Sequence, residues 1–198
     1  SDSFLLEIVD SKKNLLDQDI KSYRYFAMIR NIQRYNWLIL YLFGASPFVT
    51  SKFIEDQDIS HFKELEDNVY YMPFATSLRM SEYGYQNSTR KTFNVSFESL
   101  EKYISDLRNL TQTKNEDYLK ITKNHGLQSQ LNPNILQIED EYYSTARPKS
   151  IIDSISPQSS KLKKSGVDFI ELRSLDLNPY SRVGIDKETV IFIELFLY

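Results

Sequence analysis

The chain has 198 residues, of which 41% are hydrophobic and 26% are charged, so it is long and apolar enough to bury one globular core. Its formal net charge is −3 and its 24 basic residues are scattered, which argues against nucleic acid as a partner. Cysteine is absent, which excludes disulfides, a thiol nucleophile and cysteine-ligated zinc, and fits a reducing compartment.

Neither a membrane span nor a secretion signal is evident. The apolar stretch 37–43 is far shorter than the roughly 18 residues of a membrane-spanning helix, and the N-terminus lacks the basic and apolar regions of a signal peptide. We therefore expect a cytoplasmic protein without membrane contact.

The chain begins with Ser1 rather than Met, and the mostly apolar segment Phe192–Tyr198 has no closing turn. We expect that both ends are cut from a longer protein.

The first predicted element is a helix from Ile20 to Phe43. Gly44 and Pro47 predict its end and a following turn, because glycine suits a helix C-terminus and proline cannot continue a helix. The acidic segment Asp56–Asp67 is predicted to be a surface loop. The helix prediction depends on apolar residues that recur at steps of three and four, namely Tyr25, Ile29, Ile32, Tyr35, Ile39 and Leu42.

Two further helices are predicted from their caps. Ser96 is a suitable N-cap for a second helix that should end near Thr111 to Lys114. Its apolar face would comprise Phe97, Leu100, Ile104, Leu107 and Leu110. Asp186 is predicted to cap the last helix, with Ile185 and Val190 placed as a hydrophobic staple.

Strands are expected in the second half of the chain. Gln137–Tyr143 and Val167–Leu175 follow a period of two, which places Glu171 and Arg173 on one face of the second strand. The segment Ser150–Ser165 is predicted to be a mobile loop with a short helix. Helices and strands do not alternate regularly, so we expect an α+β fold with a mainly antiparallel sheet.

Neither glycine-rich phosphate-binding motifs nor histidine residues indicate a functional site in this sequence. The five glycines form neither of the common glycine-rich phosphate loops, so any ATP would have to be held by side chains and metal. His61 and His125 lie in polar stretches and are assigned no role. Glu139 and Glu141, followed by Tyr143, Arg147 and Lys149, suit metal-phosphate chemistry, but their spacing alone favours a solvated strand face with exposed ion pairs.

Two pairs of residues leave a structural and a functional interpretation open. Glu171 and Arg173 are flanked by apolar residues, so they can neutralise each other or present a Mg²⁺ ligand beside a phosphate-binding guanidinium. Arg79 and Tyr85 can bind a substrate carboxylate through a guanidinium fork and a phenol. Alternatively, these two residues only fix a surface loop.

Four segments in order and spacing resemble the glutamate–cysteine ligase family of proteobacteria, and the resemblance runs from about Ile20 to Tyr198. The segments are Tyr41–Pro47, Ala75–Asn87, Asn134–Lys149 and Phe169–Pro179. The resemblance implies ATP-dependent joining of the γ-carboxylate of glutamate to cysteine through a γ-glutamyl phosphate, the first step of glutathione biosynthesis.

The same resemblance implies roles for single residues. Glu171 would be a ligand of the cofactor Mg²⁺, and Arg173 would be a catalytic residue that contacts the phosphoryl group transferred from ATP. Arg79, Tyr85 and Tyr143 would line the amino-acid substrate pocket, chiefly around the cysteine. The substrates of the enzyme would be glutamate, cysteine and ATP.

Family members are implied to fold around a curved, mainly antiparallel sheet, a core like that of glutamine synthetase and guanido kinases. Because they are more than twice as long, residues 1–198 would form a single partial catalytic domain without the N-terminal half that completes the metal cluster. The full-length form is expected to be monomeric, and the fragment alone to be inactive. The alternative is an inactive remnant that serves at most as a binding or interaction module.

Overall fold

The computed structural model describes residues 17–55, 58–84, 93–125, 130–152 and 155–198. Helices and strands are mixed throughout, and 3-10 turns lie at Ser51–Phe53, Leu78–Met80 and Glu139–Glu141. In chain order the elements are α1 Asp17–Phe43, β1 Phe48–Thr50, β2 Lys63–Glu66, β3 Val69–Tyr71, α2 Leu100–Gln112, α3 Glu116–His125, β4 Ala146–Lys149, α4 Gln158–Ser165, β5 Phe169–Leu172 and α5 Lys187–Leu197.

Helix α1 confirms the first predicted helix and ends at the predicted residue. Asp17 and Asp19 lie in its first turn, where carboxylates interact favourably with the positive end of a helix. After Phe43, the Gly44 N–H donates to the Leu40 carbonyl at 3.0 Å. A Cβ at Gly44 would lie 2.6 Å from that same oxygen, so only glycine allows this approach.

The predicted apolar face of α1 is correct in part. Ile29, Ile32 and Ile39 are buried, but Tyr35 and Leu42 are exposed by 48% and 46%. The described residues divide into two compact units, and the division falls within α1 between Arg30 and Asn31 and also within β4 and β5. That residues 1–198 form a single partial catalytic domain stays a prediction.

The first unit comprises described residues within 1–30, 92–142 and 147–171. Its core contains Phe26 and Tyr103, whose rings meet edge to face with centroids 5.7 Å apart. Helix α2 ends where predicted, but its N-cap is Ser99 and not Ser96. The Ser99 hydroxyl accepts the Lys102 N–H at 3.2 Å, whereas Ser96 accepts the N–H of Glu98 before the helix begins.

The predicted strand at Gln137–Tyr143 is wrong, because Glu139–Glu141 forms a 3-10 turn. Short-range bonds explain the turn: the Tyr142 N–H donates to the Glu139 carbonyl, and the Glu141 carboxylate accepts the Gln137 N–H at 2.7 Å. The strand forms later, as β4. Its partner β5 is shorter than the predicted strand and ends at Leu172, before Arg173.

The segment Ser150–Ser165 contains the predicted short helix as α4, while residues 153–154 lie outside the described part of the chain. The helix ends at Gly166, whose φ of 69° favours glycine. The predicted mobility of this segment stays a prediction.

The second unit comprises described residues within 31–91, 143–146 and 172–198 and contains an antiparallel sheet in the order β1-β3-β2. Phe48 lies opposite Tyr71, and a bulge interrupts β2 between Glu64 and Glu66. Strand β2 corrects the loop predicted for Asp56–Asp67, of which residues 56–57 lie outside the described ranges. All residues of β2 are exposed and most are charged. Because this edge strand has no alternation of apolar and polar residues, its sequence did not predict a strand.

Helix α5 begins where predicted, because the Asp186 carboxylate accepts the Thr189 N–H at 2.7 Å as its N-cap. Phe192 of α5 meets Phe43 with ring centroids 5.1 Å apart. The staple of Ile185 and Val190 stays a prediction. Mixed helices and antiparallel strands confirm the α+β expectation at that level. Within the described ranges, no helix combines the length and apolar character that crossing a bilayer requires.

Candidate active site

Arg79 lies in a 3-10 turn that is bonded to the chain following α1. The Ser46 N–H donates to the Thr76 carbonyl at 3.2 Å, and the Leu78 N–H donates to the Ser46 carbonyl at 2.7 Å. Ser46 and Ser77 thereby form a parallel bridge. These main-chain bonds fix the turn Leu78–Met80 and with it the origin of the Arg79 side chain.

Asp176 is the buried carboxylate that Arg79 contacts, and its side chain is 3% exposed. One oxygen accepts Arg79 Nε at 2.6 Å, and the other accepts the Ala45 N–H at 2.9 Å and the Ser46 hydroxyl at 2.7 Å. Burial raises the pKa of Asp176, but the hydrogen bonds from Ala45, Arg79 and Ser46 outweigh burial and hold the pKa below its ordinary value. Asp176 is therefore ionised near neutral pH.

The rest of the Arg79 guanidinium contacts main-chain carbonyls. Its Nη2 donates to the Leu175 carbonyl at 2.7 Å, and both Nη atoms lie 3.3 Å from the Arg173 carbonyl oxygen. The Tyr143 hydroxyl donates to the same Arg173 oxygen at 3.2 Å. Arg79 and Tyr143 therefore meet at the backbone of Arg173.

The Arg173 side chain lies over the ring of Tyr143, with 4.7 Å between the guanidinium carbon and the ring centroid, a cation–π geometry. Its main-chain N–H donates to the Thr145 carbonyl at 2.8 Å. Nη1 of Arg173 is buried and has no hydrogen-bond partner within the described part of the chain. A buried cationic donor without an acceptor is suited to an anionic ligand.

The structure thus brings together three of the predicted site residues, Arg79, Tyr143 and Arg173, in the second unit. Tyr85 lies outside the described residues. Asp176 was missed by sequence reasoning, although an acidic residue between Leu175 and Leu177 was an available sign of a buried, partnered carboxylate.

Glu171 lies on β5 in the first unit. Its side chain is 43% exposed, and Lys149 Nζ lies 3.8 Å from Oε2, too far for a hydrogen bond. This Oε2 atom is buried, and among the described residues it has no hydrogen-bond partner. A buried carboxylate oxygen without a hydrogen bond fits one ligand of a hard divalent cation.

The carboxylates of the acidic turn Glu139–Glu141 are bonded to protein groups instead. Glu139 accepts the Ser159 N–H at 2.7 Å and the Ser159 hydroxyl at 2.5 Å, and Asp140 pairs with Arg147 at 3.1 Å. The strand face that was predicted to carry Glu139 and Glu141 does not form, because Glu139–Glu141 is a 3-10 turn. Within the described ranges, no three acidic or histidine side chains are grouped to hold a metal ion, so Glu171 fits one Mg²⁺ ligand and not a complete site.

A cavity of about 550 Å³ lies beside Arg79 in the second unit. Its walls are mostly apolar, and Ser46 and Arg79 supply polar groups. The remaining lining residues are Phe48, Val49, Thr50, Phe53, Val69, Tyr83 and Gly84. A mostly apolar cavity with a few polar groups is the usual form of a small-molecule site.

Two solved structures are similar to this chain. One is the glutamate–cysteine ligase of Francisella tularensis in complex with AMP, with 35% sequence identity and a TM-score of 0.82. The other is a bifunctional glutathione synthetase from Pasteurella multocida, with 28% identity and a TM-score of 0.60. The fold is that of ligases of glutathione biosynthesis.

Within the ligases of glutathione biosynthesis, the family of this chain can be stated more narrowly. All 198 residues match the glutamate–cysteine ligase family, and the chain belongs to it. The resemblance inferred from four sequence segments is thereby confirmed. The chain spans a minor part of both relatives: the match covers 99% of this chain but 38% of the Francisella enzyme, and 94% of this chain but 19% of the Pasteurella enzyme.

Proposed function

We propose that the chain forms the central to C-terminal part of an enzyme that uses ATP to join the γ-carboxylate of glutamate to the amine of cysteine. The carrying observation is the family match over residues 1–198. The buried Arg173 Nη1 supports it, because the described residues leave this cationic donor without an acceptor and a phosphoryl oxygen would supply one.

The reaction follows from the chemistry of a carboxylate, which is a poor acylating agent. A γ-carboxylate oxygen attacks the γ-phosphorus of ATP, the bond to the β–γ bridging oxygen breaks, and ADP leaves with the bond's electrons. The cysteine amine then attacks the acyl phosphate carbon, a C–N bond forms, inorganic phosphate leaves, and the nitrogen loses a proton. Positive groups near the transferring phosphoryl oxygens lower the barrier of the first step.

Arg173 is proposed to contact the transferring phosphoryl group, because its guanidinium is delocalised and is held over the Tyr143 ring. Glu171 is proposed to supply one Mg²⁺ ligand through its buried Oε2. When bound, Mg²⁺ would neutralise phosphate charge as a Lewis acid. Tyr143, Tyr85 and Arg79 are proposed to line the amino-acid pocket, as the family resemblance implies.

The broader setting is proposed on the same family basis. Glutamate, cysteine and ATP would be the substrates, and the nucleotide is supported by the AMP in the Francisella enzyme. The sheet would belong to a curved antiparallel core of the glutamine synthetase and guanido kinase type. We further propose a cytoplasmic, monomeric full-length enzyme without nucleic acid or membrane partners.

The chain alone is proposed to be inactive, because the described residues hold no group of three metal-binding side chains and ATP chemistry in such enzymes needs several negative charges balanced. This observation also favours the second candidate, an inactive remnant that serves as a binding module. The two candidates differ in whether added partner residues restore catalysis.

The test is phosphate release from ATP with glutamate, cysteine and Mg²⁺. The chain is assayed alone and together with the N-terminal part of a family enzyme. Release that depends on both amino acids should arise only in the mixture. Release by the short chain alone would show that its own residues complete the site, and no release from either sample would favour the remnant.

A further inference from the structure

The Arg173 carbonyl oxygen receives donors from two different chain segments. Arg79 approaches it with both Nη atoms at 3.3 Å, and the Tyr143 hydroxyl approaches at 3.2 Å. The N–H of the same residue is bonded to the Thr145 carbonyl at 2.8 Å. Both main-chain polar groups of Arg173 are therefore held by partners, which fixes the direction in which its side chain leaves the backbone.

Asp176 gives these contacts their rigidity. Its buried carboxylate joins Arg79 to the segment after α1 through the Ala45 N–H and the Ser46 hydroxyl. The Asp176 side chain is 3% exposed and that of Arg79 is 29% exposed, so the carboxylate of the pair is shielded from water. Arg79 Nη2 also donates to the Leu175 carbonyl at 2.7 Å, which fixes a second carbonyl of the Arg173–Asp176 segment.

We propose that Arg79 and Asp176 are positioning residues that act through Arg173: together they hold the main chain of residues 173–176 so that the Arg173 guanidinium stays over the Tyr143 ring. Donors on all three nitrogens of Arg79 already contact protein acceptors. Among the residues proposed above to line the amino-acid pocket, Arg79 therefore acts on this segment and leaves the contact with the amino acid to Tyr143 and Tyr85. The inference rests on the proposed function for the catalytic role of Arg173.

The kinetic test uses the active mixture of this chain with the N-terminal part of a family enzyme. Arg79→Lys and Asp176→Asn should each lower kcat by about 100-fold, since a displacement of a catalytic group by about 1 Å costs that much. KM values for glutamate and cysteine should change less than about threefold. The double variant should be no worse than either single variant, because the two side chains act as one unit.

Asp140→Asn is the matched control, because it weakens an arginine–aspartate pair in the first unit without touching Arg173. It should leave kcat unchanged. One outcome would overturn the proposal in favour of direct substrate binding by Arg79. In that outcome Arg79→Lys raises the KM for an amino acid tenfold at unchanged kcat, while Asp176→Asn behaves as wild type. Ser46→Ala, which removes one donor to Asp176, provides a milder variant with a smaller fall in kcat if the others fail to fold.

A second arm is independent of catalysis. In the chain labelled with ¹⁵N-arginine, the Arg79 Nε–H signal should exchange slowly with water, and Asp176→Asn should make its exchange faster by at least about tenfold. Fast exchange in the wild-type chain would overturn the Arg79–Asp176 pairing whatever the kinetics show. A slowly exchanging signal in a protein whose mixture releases no phosphate would instead sink the proposed function and leave the pair standing.

Discussion

The acidic side chains of the turn Glu139–Glu141 have protein partners, whereas two charged side chains later in the chain, Glu171 of the first unit and Arg173 of the second unit, each keep an atom without a hydrogen bond. In the turn, Glu139 is bonded to Ser159 and Asp140 to Arg147. The Glu141 carboxylate accepts a main-chain N–H. Each acidic side chain of the turn thus stabilises its own surroundings.

Glu171 Oε2 in the first unit and Arg173 Nη1 in the second unit are buried and have no hydrogen-bond partner among the residues that the structure describes. Leaving such an atom unsatisfied costs about 1–3 kcal/mol, and more when the group is charged. A folded protein retains that cost where a ligand compensates for it. We therefore propose a structural use for the hydrogen-bonded carboxylates of the turn, and a ligand for Glu171 Oε2 and for Arg173 Nη1.

The largest expected effect tests the functional side of this comparison. In the active mixture, Glu171→Gln should lower Mg²⁺-dependent turnover by at least about 100-fold, because it removes a ligand charge but almost no volume. The fold should be intact, since Lys149 at 3.8 Å is the only ion pair recorded for Glu171 in the described structure and its side chain is 43% exposed. Turnover is measured as phosphate release over a Mg²⁺ titration, and circular dichroism checks the fold.

Glu139→Gln is the control for that experiment. Its carboxylate faces Ser159 at the start of α4, so the substitution should reduce stability by about 1 kcal/mol and leave turnover unchanged. If Glu139→Gln abolished turnover and Glu171→Gln did not, the distinction between carboxylates with and without hydrogen bonds would be reversed.

The next effect tests the structural side. Arg147 is 7% exposed and donates to the Asp140 carbonyl at 3.1 Å and to the Tyr142 carbonyl. Arg147→Ala should lower the free energy of unfolding by about 3 kcal/mol, because two carbonyls lose their donor and a buried side chain is removed. Asp140 is 69% exposed, so Asp140→Asn should cost less than about 1 kcal/mol. Urea unfolding measures both, and equal losses would contradict the assignment of the stabilisation to the buried guanidinium.

Local patterns in the sequence predicted α1, α2, α4 and α5, but they missed α3 at Glu116–His125. Helix α1 follows its period of three and four to Phe43, and α5 begins at the cap Asp186, because a helix is specified by neighbours within one or two turns. The strands were harder. Glu139–Glu141 has the alternation of a strand, but its own carboxylates and main-chain bonds favour a turn, which a period of two cannot distinguish.

The candidate site, too, could be predicted only in part from the sequence. Family resemblance selected Arg79, Tyr143 and Arg173, and these three lie together although up to 94 positions separate them in the chain. Asp176 was missed because its partners Ala45 and Arg79 are about 100 or more positions away in the sequence. Long-range pairing of this kind depends on the fold, and a spacing rule within a single segment does not contain it.

The smallest effect concerns a partnered carboxylate at the surface, Asp186. It accepts the Thr189 N–H at 2.7 Å and Asn178 Nδ2 at 3.0 Å. The hydrogen bonds from Thr189, chiefly, and from Asn178 hold the pKa of Asp186 below its ordinary value of 3.8. A partnered carboxylate should therefore make stability depend on pH in a defined direction.

Because the pKa of Asp186 is lower in the folded than in the unfolded state, its stabilising effect is complete above about pH 4 and is lost as the pH falls through the folded-state value. Asp186→Asn keeps a capping oxygen but cannot titrate, so it is a matched variant. The urea midpoint of the wild-type chain should decrease relative to that of Asp186→Asn between pH 4 and pH 2, while their difference stays constant from pH 5 to pH 7. All other carboxylates titrate equally in the two proteins, so the difference isolates this one. Parallel curves down to pH 2 would show that the cap contributes as a neutral acceptor, and that the hydrogen bonds to this half-buried carboxylate do not favour its charged form.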